Sequence, residues 1–316
     1  MIVKVLLLIL FFAVMVGIGF YSRKHATNVD GFVLGGRSVG PWLTAFAYGT
    51  SYFSAVVFVG YAGQFGYKYG ISATWIGIGN ALIGSLLAWI VLGRRTRIMS
   101  KHLKAKTMPD YFGKRFDSNA LRVTAAVISF VFLIPYTASV YNGLSRLFEM
   151  AFDVPYTVCV VVMAALTCVY VILGGYMATA INDFVQGIVM LVGIVAVIAS
   201  VLNGEGGFMQ AVFKLSEMPS DIPVTMGQQG AFTSFFGPDP LNLLGVVILT
   251  SLGTWGLPQM VSKFYAIRDE KAVKTGTVIS TLFAIVVSGG CYFLGGFARL
   301  FDSDAIRNGQ GGIVYD

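Results

Sequence analysis

Two short segments place hydroxyl, amide and glycine residues together in the middle of apolar stretches. The first spans 47–55 and reads AYGTSYFSA, and the second spans 250–259 and reads TSLGTWGLPQ. Hydroxyl groups and the carbonyl oxygens of interrupted backbone can surround a hard cation or hydrogen-bond a small solute without burying full charges. These two segments are therefore the first candidates for a binding site.

Residues that catalyse reactions or hold metals are sparse in the apolar stretches. Both histidines, His25 and His102, fall in charged loops. Asp183 is the only charged residue between Asp153 and Glu205. The cysteines lie in apolar stretches without a metal-ligand or disulfide spacing: Cys159, Cys168 and Cys291. The sequence therefore argues against a membrane enzyme, which would need a nucleophile–base pair or metal ligands there.

The composition indicates which elements must carry the two polar segments. Of the 316 residues, 56% are apolar and only 12% are Asp, Glu, Lys or Arg, about half the charged share of an ordinary soluble domain. A helix needs about 20 apolar residues to cross a bilayer. Eight stretches of 18 to 30 residues contain no charged side chain: 5–22, 38–67, 69–93, 123–145, 154–182, 184–204, 240–262 and 275–298. They predict an all-α integral membrane protein with eight transmembrane helices.

The basic residues are divided unevenly between the two sides that these spans would define. Sixteen Lys and Arg fall on one side, nine of them between Arg94 and Arg122, and six on the other. The positive-inside rule places that loop in the cytoplasm and the N-terminus outside a plasma or inner cell membrane. The net charge of +7 is therefore topological, and we expect a lipid bilayer as partner and no nucleic acid. Residues 1–22 are predicted to be a retained helix, because Arg23 and Lys24 follow them.

Both polar segments are predicted to interrupt their helices. Pro258 lacks a backbone N–H and crowds the preceding turn, while Gly253 and Gly256 weaken the same helix. Interrupted backbone at membrane depth is tolerated where it lines a cavity or is buried in protein. Two broken spans five apart, entering from opposite sides, indicate the binding site of a secondary transporter with an inverted repeat. The alternative is that these small residues only allow close helix packing.

Three motifs in this order carry a resemblance to a known family. Residues 35–41 read GGRSVGP, 108–112 read MPDYF before an Arg-Phe pair at 115–116, and 174–178 read GGYMA before NDFVQ at 182–186. They resemble the GGRS, PDYF…RF and GG(F/Y)-x-A…D-x-x-Q motifs of the sodium:solute symporter family, which includes proline, pantothenate and sugar carriers. The resemblance covers about residues 1–300.

Within that family, three segments are more similar to the pantothenate branch than to the proline branch. They are SYFSA at 51–55, Asn-Asp at 182–183 and GLP at 256–258. Proline carriers place Asp where Tyr52 stands and Gln where Leu257 stands. This departure argues against proline as the solute without establishing pantothenate.

The resemblance implies a five-plus-five inverted-repeat transporter fold, here incomplete. Residues 1–316 would be a partial symporter membrane domain, with an extra N-terminal helix at 1–22. The first repeat would occupy 38–204, and the second would begin at 240–300. We therefore expect a C-terminally truncated portion of a symporter, with an eight-span functional variant as the alternative.

The same resemblance implies sodium-coupled symport of a small organic solute by alternating access. The solute would be an amino acid, a carboxylate or a vitamin such as pantothenate, and Na⁺ the coupling ion, with no organic cofactor. By position, the carbonyls of Thr50 and Phe53 would form half of a sodium site, the other half lying on a helix beyond Asp316. Asp183 would contact sodium transiently on the exit path, or cap the sixth span, or do both.

Candidate solute contacts come from the two interrupted spans, where half-helix N-termini could hold an anionic group. They are Ser51, Tyr52, Ser54, Thr254, Trp255 and Gln259. Tyr136 and Asn142, in the span that contains Pro135, would line the same cavity. Trp255 could equally be a packing residue, and Tyr136 an interhelical hydrogen-bonding one. Arg37 is interpreted as an anchor at the entry of the second span, with a gate as the alternative.

A solute sensor is the competing function, because symporter-like domains can be fused to signalling modules. A channel would need a ring of carboxylates or a repeated filter, and the sequence contains neither.

Overall fold

The computed structural model describes residues 2–53 and 56–301. Within these ranges the chain is helical, and the β contact recorded there is an isolated parallel bridge between Val39 and Ile267. The α-helices are α1 Ile2–Ser22, α2 Val29–Leu34, α3 Pro41–Tyr52, α4 Ala62–Tyr69, α5 Thr74–Gly79, α6 Arg94–His102, α7 Met108–Arg115, α8 Asn119–Phe152, α9 Tyr156–Gly204, α10 Phe208–Glu217, α11 Pro240–Leu252, α12 Pro258–Ala266, α13 Glu270–Ala284 and α14 Gly290–Gly295. Segments of π-helix join several of them: Val56–Tyr61, Asn80–Leu87, Trp89–Gly93 and Ile285–Gly289. The all-α prediction is confirmed for the described residues.

The predicted count of eight transmembrane helices is not confirmed. Among the described residues, five helical stretches are long and apolar enough to span a membrane: Leu6–His25, Ala62–His102, Asn119–Glu149, Tyr156–Gly204 and Glu270–Gly295. A sixth is added if Pro240–Gly256 and Pro258–Ala266 count as one bent span. The second predicted span, 38–67, is divided in this count, because α3 ends at Tyr52 and the residues from Ala62 onward belong to the counted stretch Ala62–His102.

The fifth and sixth predicted spans lie within α9, in which two helical segments meet at a kink at Gly175. The charge-free stretches divide at Asp183, and the GGYMA motif at 174–178 lies just before that division. The backbone instead leaves the helical region at Gly175, where φ is +55° and ψ is −146°. Glycine adopts this conformation readily because it has no Cβ, and a Cβ there would lie 2.7 Å from the carbonyl oxygen of Phe32. Asp183 is therefore an interior residue of a helix.

The described chain divides into two compact units. The first comprises Met1–Tyr52, Ala88–Gly187 and Trp255–Ser280, and the second comprises Phe53–Leu87, Ile188–Thr254 and Thr281–Asp316, each within the described residues. In the first unit, the rings of Tyr48, Trp89 and Phe264 pack with centroids 5.1 to 5.7 Å apart. All three side chains are almost fully buried. Such aromatic contacts add to the free energy gained by burying the rings.

In the second unit, α4 and α14 approach each other closely at glycine residues. A Cβ on Gly66 of α4 would lie 2.0 Å from the carbonyl carbon of Gly295 in α14. Small residues at such contacts let helix backbones approach each other in membranes. Beside this contact, Phe232 and Phe297 pack with Ala211 and Leu215 of α10 in a buried cluster.

Candidate functional site

The first polar segment lies at the C-terminal end of α3. Thr50 is buried, and its hydroxyl donates to the carbonyl of Phe46 at 2.9 Å, as helical threonines commonly do. Tyr52 is also buried and packs edge-on against Tyr48. The helix ends at Tyr52, and Phe53 is a bend. Ser54, a predicted solute contact, lies outside the described residues.

The second polar segment is interrupted between two helices, as the sequence predicted. α11 ends at Leu252 and is followed by one 3₁₀ turn at Gly253–Gly256. Leu257 then adopts an extended conformation, with φ −72° and ψ 125°. Pro258 begins α12, a position where its missing N–H costs nothing because a helix leaves its first N–H groups without intrahelical partners. The proline therefore marks the restart of the helix after the break.

Gln259 lies in the first turn of α12 with its amide buried. Both the side-chain oxygen and the side-chain nitrogen of Gln259 lack solvent access and a hydrogen-bond partner. A buried amide without partners costs free energy unless something else satisfies it. Among the predicted solute contacts in the described residues, Gln259 is therefore the strongest candidate to hydrogen-bond a ligand.

Asp183 forms an ion pair that the sequence analysis did not anticipate. Its Oδ2 lies 3.5 Å from the Nζ of Lys263 on α12, and the two side chains are 22% and 8% exposed. The hydroxyl of Thr50 lies beside the same carboxylate. The rings of Phe46 and Phe184, whose centroids are 4.8 Å apart, pack α3 against α9 next to this pair. The interpretation of Asp183 as a helix cap is wrong, because Asp183 lies in the interior of the helical segment that follows the kink at Gly175.

The first unit thus brings together part of the predicted site. Thr50, Asp183 and the missed Lys263 form one cluster. Tyr136 is half-buried and Asn142 is exposed, on a helix whose central 18-residue window contains no buried residue. Ser51, Tyr52, Trp255 and Gln259 belong to the first unit as well, whereas Phe53 and Thr254 belong to the second. In the second unit, the hydroxyl of Thr254 donates to the carbonyl of Ser251 at 3.1 Å.

Little in the sequence indicates that Lys263 belongs to the site. Lys263 directly follows the charge-free stretch 240–262, and the charge pattern therefore assigns it to the basic segment after that stretch. In the structure it lies four residues after Gln259 on the same face of a helix. Its partner is 80 positions away in the sequence, a distance that no local periodicity can reveal.

A polar cluster around Asn80 in the second unit was also missed. The Oδ1 of Asn80 accepts hydrogen bonds from Thr250 at 3.0 Å and from Ser251 at 3.2 Å. The Nδ2 of Asn80 donates to Ser288 at 3.3 Å. The two hydroxyls at the end of α11 therefore donate to Asn80, which in turn donates to Ser288, and this network fixes the helix that leads into the break.

Arg37 has the contacts of an anchor. Its guanidinium donates to the carbonyls of Ala105 and Tyr265, at 2.5 and 3.4 Å, and to the hydroxyl of Ser100 at 3.5 Å. Burial lowers the pKa of Arg37, and the nearby Asp30 partly opposes this effect. These contacts tie the entry of α3 to the end of α6 and to α12 within the first unit, as the anchoring interpretation predicts.

Comparisons with known sequences and structures identify the same family that the motifs resemble. Residues 32–305 match the sodium:solute symporter family. The chain is 33% identical over 275 residues to sodium/proline symporters of Staphylococcus aureus strains JH9 and JH1, covering 84% of this chain and 50% of each relative. It therefore spans about half the length of these curated relatives.

A solved structure has a similar fold. It is the substrate-bound, outward-open state of a Na⁺-coupled sialic acid symporter, which superimposes with a TM-score of 0.71 and 16% sequence identity. The match covers 96% of this chain and 64% of that one. The family match extends over most of the sequence, and this chain belongs to the sodium:solute symporter family.

Proposed function

We propose that the protein carrying this chain is a secondary active transporter that couples the entry of sodium to that of a small organic solute. The observation that carries this proposal is the break between α11 and α12, with the buried, unpartnered amide of Gln259 directly after it. An interrupted helix supplies free backbone groups and a helix N-terminus at membrane depth. The amide adds a donor and an acceptor that can recognise a polar solute.

The proposed sodium ligands lie at the end of α3. Thr50 and Phe53 would offer carbonyl oxygens where the helix stops, and Asp183 would offer a carboxylate. These are oxygen ligands, which a hard cation prefers. The proximity of Asp183 to the hydroxyl of Thr50 supports this grouping. The sodium and the solute are both cargo and move together by alternating access.

The proposed solute is an amino acid, a carboxylate or a vitamin such as pantothenate. Its contacts would be Ser51, Tyr52 and Ser54 from the first interrupted span, and Thr254, Trp255 and Gln259 from the second, with Tyr136 and Asn142 as further lining residues. An anionic group would face the N-terminus of α12, where backbone N–H groups and the helix dipole favour negative charge. The sodium/proline symporters are relatives at 33% identity, which makes proline one of the solutes to be tested.

The proposed setting is a plasma or inner cell membrane with the N-terminus outside. The long apolar helices support a multi-pass membrane protein. The orientation rests on the sixteen basic residues of one side against six on the other.

Uptake into proteoliposomes tests the proposal. The full-length protein is reconstituted and given radiolabelled L-proline, pantothenate and sialic acid under an inward sodium gradient, or with choline replacing sodium. We expect at least one solute to accumulate above its external concentration with sodium alone, and a sodium ionophore to abolish the accumulation. Equal uptake in choline, or no uptake together with no saturable binding of ²²Na⁺, would overturn the proposal.

A further inference from the structure

Three cationic side chains of the described residues are buried, and they are held in different ways. Arg97 donates to the carbonyl of Arg268, and Arg299 forms a hydrogen-bonded pair with the exposed Asp221. Lys263 is the one buried lysine among them, and its anionic partner is Asp183. A lysine ammonium is a compact point charge on a flexible side chain, whereas an arginine guanidinium is a planar group with several donors in fixed directions. Another cation can therefore replace a lysine more easily than an arginine.

The pair between Lys263 and Asp183 is close but not tightly hydrogen-bonded. Its N–O separation of 3.5 Å exceeds the roughly 2.7–2.9 Å of a strong charge-assisted hydrogen bond. The Nζ of Lys263 also lies 5.3 Å from the centre of the Tyr176 ring. A ring face at this distance attracts a cation, so the ammonium has a second stabilising contact beside the carboxylate.

We propose that the ammonium of Lys263 is a tethered competitor of sodium at the Asp183 carboxylate. This inference rests on the proposed function and adds how sodium affinity is set. Sodium and ammonium carry the same charge, so exchanging one for the other keeps the partly buried carboxylate neutralised. Leaving it without a cation, or holding both cations against it, costs more in a poorly solvated site.

The exchange links the ion to the solute-binding helix. Lys263 lies one turn after Gln259 on α12, so its side chain and the unpartnered amide share one face of that helix. Thr50, at the end of α3, lies beside the same carboxylate. When sodium occupies Asp183, Lys263 loses its ionic tie to α9. Sodium binding therefore removes one of the contacts that hold α12, the helix that carries the proposed solute contact.

Neutral variants of Lys263 test the proposal through ²²Na⁺ binding to the purified full-length protein at pH 8. We expect Lys263→Met and Lys263→Gln to lower the half-saturating sodium concentration at least about tenfold, because the competing cation is gone. Lys263→Arg keeps the charge and should leave this concentration unchanged or raise it. Lys214→Met is the matched control, since it removes a lysine from the more exposed pair with Glu205.

The outcomes separate this inference from the proposed function. No saturable sodium binding in the wild-type protein would refute the function itself. Sodium binding in the wild type that is unchanged or weakened in both neutral variants would overturn the competitor role and leave the function standing.

A measurement on the wild type remains decisive if the neutral variants fail to fold. A small amine-reactive reagent is applied with increasing sodium, or with choline, and modification of Lys263 is followed by mass spectrometry. We expect sodium to raise the labelling of Lys263 over the range in which it saturates binding, and not that of Lys214. Labelling of Lys263 that stays at its choline level while sodium saturates the protein would contradict the proposal.

Discussion

At the scale of single residues, the candidate site contains polar side chains whose burial costs free energy. The amide of Gln259 has no partner, and the carboxylate of Asp183 depends on one lysine. Natural proteins keep few such groups. Gln259 at the start of α12 and Asp183 in α9 are therefore the residues on which the proposed binding site chiefly rests.

Replacing Gln259 by Leu separates binding from folding. Because the amide makes no hydrogen bond in the described structure, Gln259→Leu should leave the free energy of unfolding unchanged or raise it by about 1 kcal/mol. The apparent solute affinity should fall at least about tenfold, since a polar solute loses its partner. Thermal unfolding in detergent and uptake kinetics measure the two effects. Gln210→Leu, at an exposed position of α10, is the control, and unaltered uptake by Gln259→Leu would remove this residue from the site.

The carboxylate of Asp110 gives a pH dependence outside the spans. Burial alone would raise its pKa, but hydrogen bonds from Lys114 and from the backbone N–H of Lys106, at 2.9 and 3.0 Å, leave the pKa of Asp110 below its usual value. Such a group stabilises the fold above its unfolded-state pKa, and the stabilisation is lost as pH falls through the folded-state pKa.

We therefore expect the unfolding temperature to fall as the solution is acidified below about pH 5, and Asp110→Asn to weaken this dependence. Asp117→Asn, at an exposed position just after α7, should leave this pH dependence as in the wild type. Unfolding curves measured from pH 7 to pH 3 test both variants. Identical acid profiles for Asp110→Asn and the wild type would show that this carboxylate does not stabilise the fold.

At the scale of helices, glycine positions decide which elements can approach each other. Gly66 faces the backbone of Gly295, whereas a Cβ on Gly63, in the same helix, would meet no atom within 4 Å. The sequence could not distinguish the two glycines, because both lie in one apolar stretch and only the packing of α4 against α14 separates them.

Alanine at these two positions should have different effects on the free energy of unfolding. Gly66→Ala should lower the free energy of unfolding by about 1–3 kcal/mol, because its Cβ would overlap the backbone of α14. Gly63→Ala should be neutral or stabilising by up to about 1 kcal/mol, because alanine favours the helix. Thermal unfolding of the two variants in the same detergent makes the comparison. Equal unfolding temperatures would mean that α4 and α14 are not in close contact.

The sequence predicted helices better than it predicted their ends. Apolar stretches revealed the membrane helices, and Pro258 with its glycines revealed the break before α12. Charge alone divides α9 at Asp183, whereas the kink lies at Gly175, inside the GGYMA motif that the sequence also offered as a marker. The true kink depends on Gly175, whose left-handed φ angle no hydropathy pattern records. The pair itself was hidden, since its members are far apart in the sequence and meet only through packing.

At the scale of the whole molecule, composition and family agree on a membrane protein of the sodium:solute symporter family. The charged share is too low for a soluble surface, and the basic residues concentrate in the segments between apolar stretches. In the proposed function, sodium and a solute bind to the same protein, and sodium binding is the step on which coupled transport would rest. It can be measured without knowing which solute is carried.

The most direct test is therefore equilibrium binding of ²²Na⁺ to the purified full-length protein. We predict saturable binding in the wild type and an affinity at least about tenfold lower in Asp183→Asn. Asp153→Asn is the control, because Asp153 is an exposed carboxylate at the end of α8, and it should bind sodium as the wild type does. No saturable binding in the wild type, or undiminished binding in Asp183→Asn, would contradict sodium binding at this carboxylate.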